Sequence, residues 1–190
     1  MEELFSNALK SVKSNRVLYT ASFFARSSLL YLQEIGQLTA LKAHTSRRTG
    51  LSSYLCFLVE VGSGTLEYKG QKYTLQVGDM VFIDCLKPYV HESSEDDLWT
   101  LRWCHFNGIG MTEVYKKYLE RGGQPVFKTS KTDKYADLLR SLHMVAEGQE
   151  YVRDMKINVL LSELLMHLME DSWNPDKVPN FSTKKWNCRT

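Results

Sequence analysis

The chain has 190 residues and a mass of 22.0 kDa, enough for one domain with a sizeable core and too little for two. Its 43% hydrophobic and 24% charged residues match the balance of a soluble globular protein. A formal charge of +2 excludes a field strong enough to hold nucleic acid by this chain alone. The opening MEELFSNALK lacks the basic-then-apolar order of a signal peptide, and no apolar run approaches the ~20 residues needed to cross a bilayer. A cytoplasmic chain with no membrane partner is expected. Cys56, Cys85, Cys104 and Cys188 form no CxxC pair, and three of the four sit in apolar runs, as reduced core thiols do.

In chain order, the first 25 residues are mixed, with a short helix predicted around EELFSNALKSV. SSLLYLQEIGQLTALKAH reads as two early strands broken at Gly36. The stretch from Ser53 to Pro88 holds short β-branched and aromatic runs with glycine turns between them. VGSG and YKGQKY read as hairpin turns, and QVGDM as another tight turn in which Gly78 takes positive φ. ESSEDD is a solvated turn. In LWTLRWCHF, residues Trp99, Leu101, Trp103 and His105 alternate with Thr100, Arg102, Cys104 and Phe106. Bulky groups on both faces predict a strand covered on both sides.

After Gly110 the apolar period changes from two to about 3.6. Helices are predicted over 112–121, 131–147 and 152–171, the first two stopped by Gly122–Gly123 and by Gly148. In the third, Ile157, Leu161, Leu164 and Leu168 form one apolar stripe, and Met155, Val159, Met166 and Met169 widen the arc. One stripe covers the chain's own core and the other is free for a partner; the first is the expected dimer interface. The final residues carry two prolines and no periodic pattern, as a linker does. Strands first and helices last predict a mainly β chain, a small antiparallel barrel with C-terminal helices.

YLCFLVEVGSGTLEYKGQKYTLQVGDMVFIDCLKPYVH followed by WTLRWCHFNG resembles the effector-sensing domain of the AraC family of bacterial transcription regulators. The resemblance is strongest over residues 44–110 and weaker to residue 171. It implies a cupin-like antiparallel β-barrel (double-stranded β-helix) followed by helices that mediate homodimerisation. It also implies a linker to helix-turn-helix modules that bind DNA. On this reading residues 1–25 are an N-terminal arm, 26–110 the ligand-sensing barrel, 111–171 the helical packing and dimerisation segment, and 172–190 a linker. No helix-turn-helix pattern is present after residue 171, so DNA contact is expected only through an absent C-terminal domain.

Metal-binding cupins bring two or three histidines and a glutamate together inside the barrel, at ~2.0–2.2 Å from the ion. Here His44 occupies the first position of that pattern, but Ser46 stands at the second and Tyr89 where a later histidine belongs. His91 and His105 remain as further imidazoles. No metal, no cofactor and no catalytic residue are therefore expected. The G-x-S-x-G, HExxH and phosphate-loop motifs are also missing.

A small-molecule effector, a sugar or related metabolite, is the expected ligand, held by aromatic faces and a few polar groups. The candidate ligand-binding residues are His44, Arg47, Tyr54, Glu60 and Tyr89, with His91, Trp99, Trp103 and His105. Arg47 or its neighbour Arg48 matches an arginine that the family carries ahead of the strand YLCFL. Two other readings compete: a small metal-dependent cupin enzyme such as a sugar isomerase or dioxygenase, and a stand-alone carbohydrate-binding module.

Overall fold

The computed structural model describes residues 11–172. Its first half is β1 (Val12–Leu18), α1 (Phe23–Ser28), β2 (Leu30–Ala40), β3 (Thr45–Arg48), β4 (Tyr54–Val61), β5 (Gly64–Tyr68) and β6 (Gln71–Leu75). There follow β7 (Asp79–Asp84), β8 (Tyr89–Ser93), β9 (Thr100–Gly108), α2 (Met111–Glu120), β10 (Val126–Lys128), α3 (Thr132–Glu147) and α4 (Arg153–Asp171). The three predicted C-terminal helices stand within one residue of their expected bounds. The helix predicted around EELFSNALKSV lies mostly outside the described residues; its last residue, Val12, opens β1.

The strands pair antiparallel into two sheets, one ordered β1-β2-β9-β4-β7-β10 and one ordered β3-β8-β5-β6. Neither closes on itself, so the expected closed barrel is corrected to two open sheets with an apolar layer between them. The turns explain the difference. Only YKGQKY is a hairpin, joining β5 to β6. VGSG carries the chain out of the six-stranded sheet into the four-stranded one, and QVGDM carries it back, with Gly78 at φ 85°. The sheets end at β1 and β10 and at β3 and β6, and no pairing joins these edges into a ring.

The six-stranded sheet is apolar on both faces, because alternate side chains of its central strands point opposite ways. Leu55, Phe57, Val59, Val81, Ile83 and Leu101 join the core between the sheets, with Leu66, Leu75 and Trp99. Tyr54, Cys56, Leu58, Met80, Phe82, Cys104 and Phe106 form a second core under the helices. The predicted double coverage of β9 has this cause. Cys56, Cys85 and Cys104 are buried free thiols; Cys188 lies outside the described residues.

Gly36 does not end a strand. β2 runs unbroken through it, and a Cβ there would lie 2.5 Å from Trp103 Cη2 and 2.6 Å from the Asn15 carbonyl. The glycine marks a close approach of β1 and the Trp103 ring, which a breaker reading misses.

The stripe expected at a dimer interface packs inside the chain instead. Ile157, Leu161, Leu164 and Leu168 are at most 1% exposed and belong to the core that covers the six-stranded sheet. The open apolar positions of α4 are Met155, Val159 and Met166, at 46, 61 and 49% exposure. Leu161→Ala should therefore lower unfolding free energy by about 2–5 kcal/mol, and Val159→Ala by less than about 0.5, in urea denaturation. Equal effects would contradict this placement of the two faces.

Candidate functional site

Period-two alternation brings one residue set from six strands into a cavity of about 250 Å³ between the sheets. β1 contributes Val12, Ser14 and Arg16, and β2 contributes Glu34 and Leu38. His44, Ser46 and Arg48 come from β3 and the residue before it, and Tyr89 and His91 from β8. β4 adds Leu55 and Phe57, and β9 adds Leu101, Trp103 and His105. The space lies just below the ~300–1,000 Å³ of drug-sized sites, which suits a small metabolite.

Glu34 is the electrostatic centre of the wall. Its carboxylate accepts from Arg16 Nη2 at 2.8 Å, is approached by Arg16 Nε at 2.8 Å, and accepts from Trp103 Nε1 at 3.2 Å. Arg48 Nη1 stands 3.9 Å from it. The carboxylate is 7% exposed as a residue, so its charge is tolerable only because the Arg16 fork and the indole saturate it. On β9 directly opposite Glu34, His105 shares its Nδ1 with Ser53 Oγ at 3.0 Å and with Cys85 Sγ at 3.9 Å. Burial lowers His105 despite the opposing pull of Glu34.

His91 lies among rings: Phe57 at 5.6 Å, Trp99 at 5.8 Å and Tyr89 stacked at 6.2 Å. Burial, then the nearby His44, Arg48 and His105, push it down to about 3, so the ring is neutral at physiological pH. Its Nδ1, the Tyr89 hydroxyl and Trp99 Nε1 are buried without a hydrogen-bond partner of sound geometry. The Tyr89 hydroxyl and the Cys85 thiol influence one another, and burial raises both, Cys85 to about 12. A thiol so raised is a poor nucleophile.

Of the nine residues expected to touch a ligand, His44, Tyr89, His91, Trp103 and His105 share this wall. Trp99 stands directly behind His91 and Phe57, fully buried. The other three are elsewhere. Arg47 is exposed on the outer face of β3, and Arg48 takes the inward position. Tyr54 packs under the helices against Phe82, Phe106 and Tyr115. Glu60 accepts from Arg102 Nε at 2.7 Å and from Gln37 Nε2 at 2.6 Å, and is taken up by that pairing. Arg102 lines a groove against α3, not the cavity. Arg16, Glu34 and Ser14 escaped sequence reasoning, and Ser46 enters it only as a departure from the metal pattern. A signal existed for Glu34, a lone acid within the apolar run LLYLQEIGQL, and for Ser46 and Arg48, which follow His44 at steps of two.

The donor set does not fit a cupin metal centre. Ser46 and Tyr89 line the wall at two positions where such a centre needs imidazoles, and no group of three His, Cys, Asp or Glu side chains among the described residues is arranged to hold an ion. Residues 33–165 match the family model described as the AraC-like ligand binding domain. The chain belongs to that family. The solved AraC-like transcriptional activator CuxR is similar to this AraC-like domain with a TM-score of 0.54 at 12% identity, over 85% of this chain and 61% of that one. The cupin domain of an XRE family transcriptional regulator from Enterobacter cloacae is similar at a TM-score of 0.41 and 12% identity, over 50% of this chain and 96% of that one. Among curated proteins nothing matches the chain. This AraC-like domain thus spans less than two thirds of the CuxR chain. No helix among the described residues is long and apolar enough to cross a membrane.

The buried imidazole gives the AraC-like domain a pH signature. Between its folded value of about 3 and its ordinary 6.5, His91 takes a proton in the unfolded chain but not in the folded one. Its contribution is therefore complete above pH 6.5 and is lost as pH falls through that window. In urea denaturation, wild type should lose more stability than His91→Gln between pH 7 and pH 4.5. Parallel losses would contradict the assignment.

Proposed function

We propose that this chain is the effector-sensing and dimerisation part of a cytoplasmic AraC-type transcription regulator. A small polar metabolite, most simply a sugar or sugar derivative, binds between the sheets, and its presence is passed to helix-turn-helix modules elsewhere in the regulator. The observation that carries the reading is the cavity, where apolar side chains surround buried polar atoms that lack partners. Such atoms cost free energy until something accepts or donates to them, and a hydroxylated ligand supplies both. The Trp103 ring offers an apolar platform beside them.

The route out of the cavity is short. β2 presents Glu34 to the ligand space and packs Leu32 and Ile35 into the core under the helices. Asn158 of α4 accepts from the Leu30 amide at 3.0 Å, and Asp154 accepts from the Tyr19 hydroxyl at 2.7 Å. A shift of β1 or β2 against a ligand is thus felt at the first turns of α4. The outer face of that helix, through Met155, Val159 and Met166, is the surface for a second copy. Val159→Glu should convert a dimer at micromolar concentration into a folded monomer in sedimentation. A wild-type chain that is monomeric at 100 micromolar, taken as an order-of-magnitude ceiling for a functional dimer, would refute this part.

A thermal-shift screen of neutral sugars, sugar acids and sugar phosphates tests the site. A true effector stabilises the folded chain in proportion to its saturation, by about 2.7 kcal/mol at a hundredfold excess over Kd. Trp103→Leu should weaken that binder at least tenfold while Arg47→Gln leaves it unchanged. A saturable binder indifferent to Trp103→Leu, in a folded variant, would place the site elsewhere.

A further inference from the structure

The polar groups of the cavity are unequal in kind. Its one lining carboxylate, Glu34, is already engaged by both Arg16 contacts at 2.8 Å and by Trp103 at 3.2 Å. Arg48 reaches the same carboxylate only at 3.9 Å, too far for a hydrogen bond, and its side chain is 39% exposed. Two guanidiniums therefore face one carboxylate, in a cavity otherwise walled in part by Leu38, Leu55, Phe57 and Leu101.

Register places the free donors together. Across β3 and β8, Arg48 pairs directly with Tyr89, and Ser46 with His91. Directly opposed residues stand about 4.5–5.5 Å apart, and inward residues two along a strand about 6.6 Å apart. Four cavity-facing side chains thus form a compact square on the inner face of the four-stranded sheet. Within it, His91 Nδ1 has no hydrogen-bond partner, the Tyr89 hydroxyl meets only the weakly bonding Cys85 thiol, and Arg48 has only its long contact. The guanidinium only donates, while the phenol O–H and one nitrogen of the neutral imidazole are able to donate beside it, and what answers all three is an acceptor carrying negative charge.

Resting on the reading of this cavity as the effector site, we infer that the effector carries an oxyanion, a carboxylate or a phosphate, which docks on Arg48 and Tyr89. Its neutral remainder lies against Trp103 and the aliphatic wall. Arg16 is held by Glu34 and keeps that carboxylate from competing for Arg48. A neutral sugar would satisfy the hydroxyl and imidazole but leave the excess charge unanswered.

Titration calorimetry on the 190-residue chain with D-glucose, D-glucuronate, glucose 6-phosphate and inorganic phosphate tests this directly. At least one anionic ligand should bind ten times more tightly than glucose, and the preferred arm identifies carboxylate or phosphate as the source of the charge. Arg48→Gln should remove the preference, and Arg48→Lys, which keeps the charge without the fork, should retain part of it; unliganded melts of both variants establish that they fold. Glucose binding as tightly as its anionic forms, or an anion bound equally by wild type and Arg48→Gln, would overturn the inference while leaving the effector site in place. Absence of saturable binding by all three anions would overturn it as well. The cavity reading itself fails only if the wider screen of neutral compounds is also empty.

Discussion

The molecule depends on one sheet being buried on both faces. β4 and β9 lie in the middle of the six-stranded sheet, and their pairing sets Cys56 against Cys104 on the helix side and Phe57 against Trp103 on the cavity side. A slip of one residue would exchange the two sets. The helices would then cover Trp103 and His105, and the cavity would be filled by Phe106 and Cys104. With each large apolar side chain contributing about 1.5–3 kcal/mol on burial, two cores read from the same strands resist such a slip strongly. Site and helical cover are therefore fixed by a single register.

That register also explains how a charged wall survives inside an apolar layer. Glu34 and His105 are cross-strand partners, so the carboxylate enters the cavity at a point where β1 can bring Arg16 across and β9 can bring the Trp103 indole. Gly36, two residues on, leaves the room that the Trp103 ring needs. The small residue and the large one are complementary, and both serve the orientation of the indole N–H towards Glu34. On the six-stranded side Glu34, Arg16, the Trp103 indole and His105 are thus bonded internally, while on the four-stranded side His91 Nδ1 is not and Arg48 has only a long contact.

Much of this was legible in the residues. Helix bounds followed from periodicity and glycine stops, and the two-sided character of β9 followed from its alternation. Five cavity residues were found because aromatic and imidazole side chains stand out in short strands. What was hidden depends on partners that are distant along the chain. Whether VGSG makes a hairpin or changes sheets is decided by which strand β4 pairs with, and β4 pairs with β7 and β9 rather than β5. The choice between Arg47 and Arg48 is one step of parity, fixed only once β3 pairs with β8. Tyr54 and Glu60 fell on the helix side for the same reason. In α4 both stripes are apolar, and only the sheet beneath the helix decides which one turns inward.

The central claim is that a small effector occupies the space between the sheets. Indole N–H resonances of a nitrogen-15-labelled chain report on it directly, since Trp103 lines that space and Trp99 stands behind it. With Trp99 and Trp103 assigned by single substitution, a saturating binder should move the Trp103 signal most and the Trp99 signal less, along one common titration curve. A binder that saturates the chain and leaves both indole signals where they were would contradict the account.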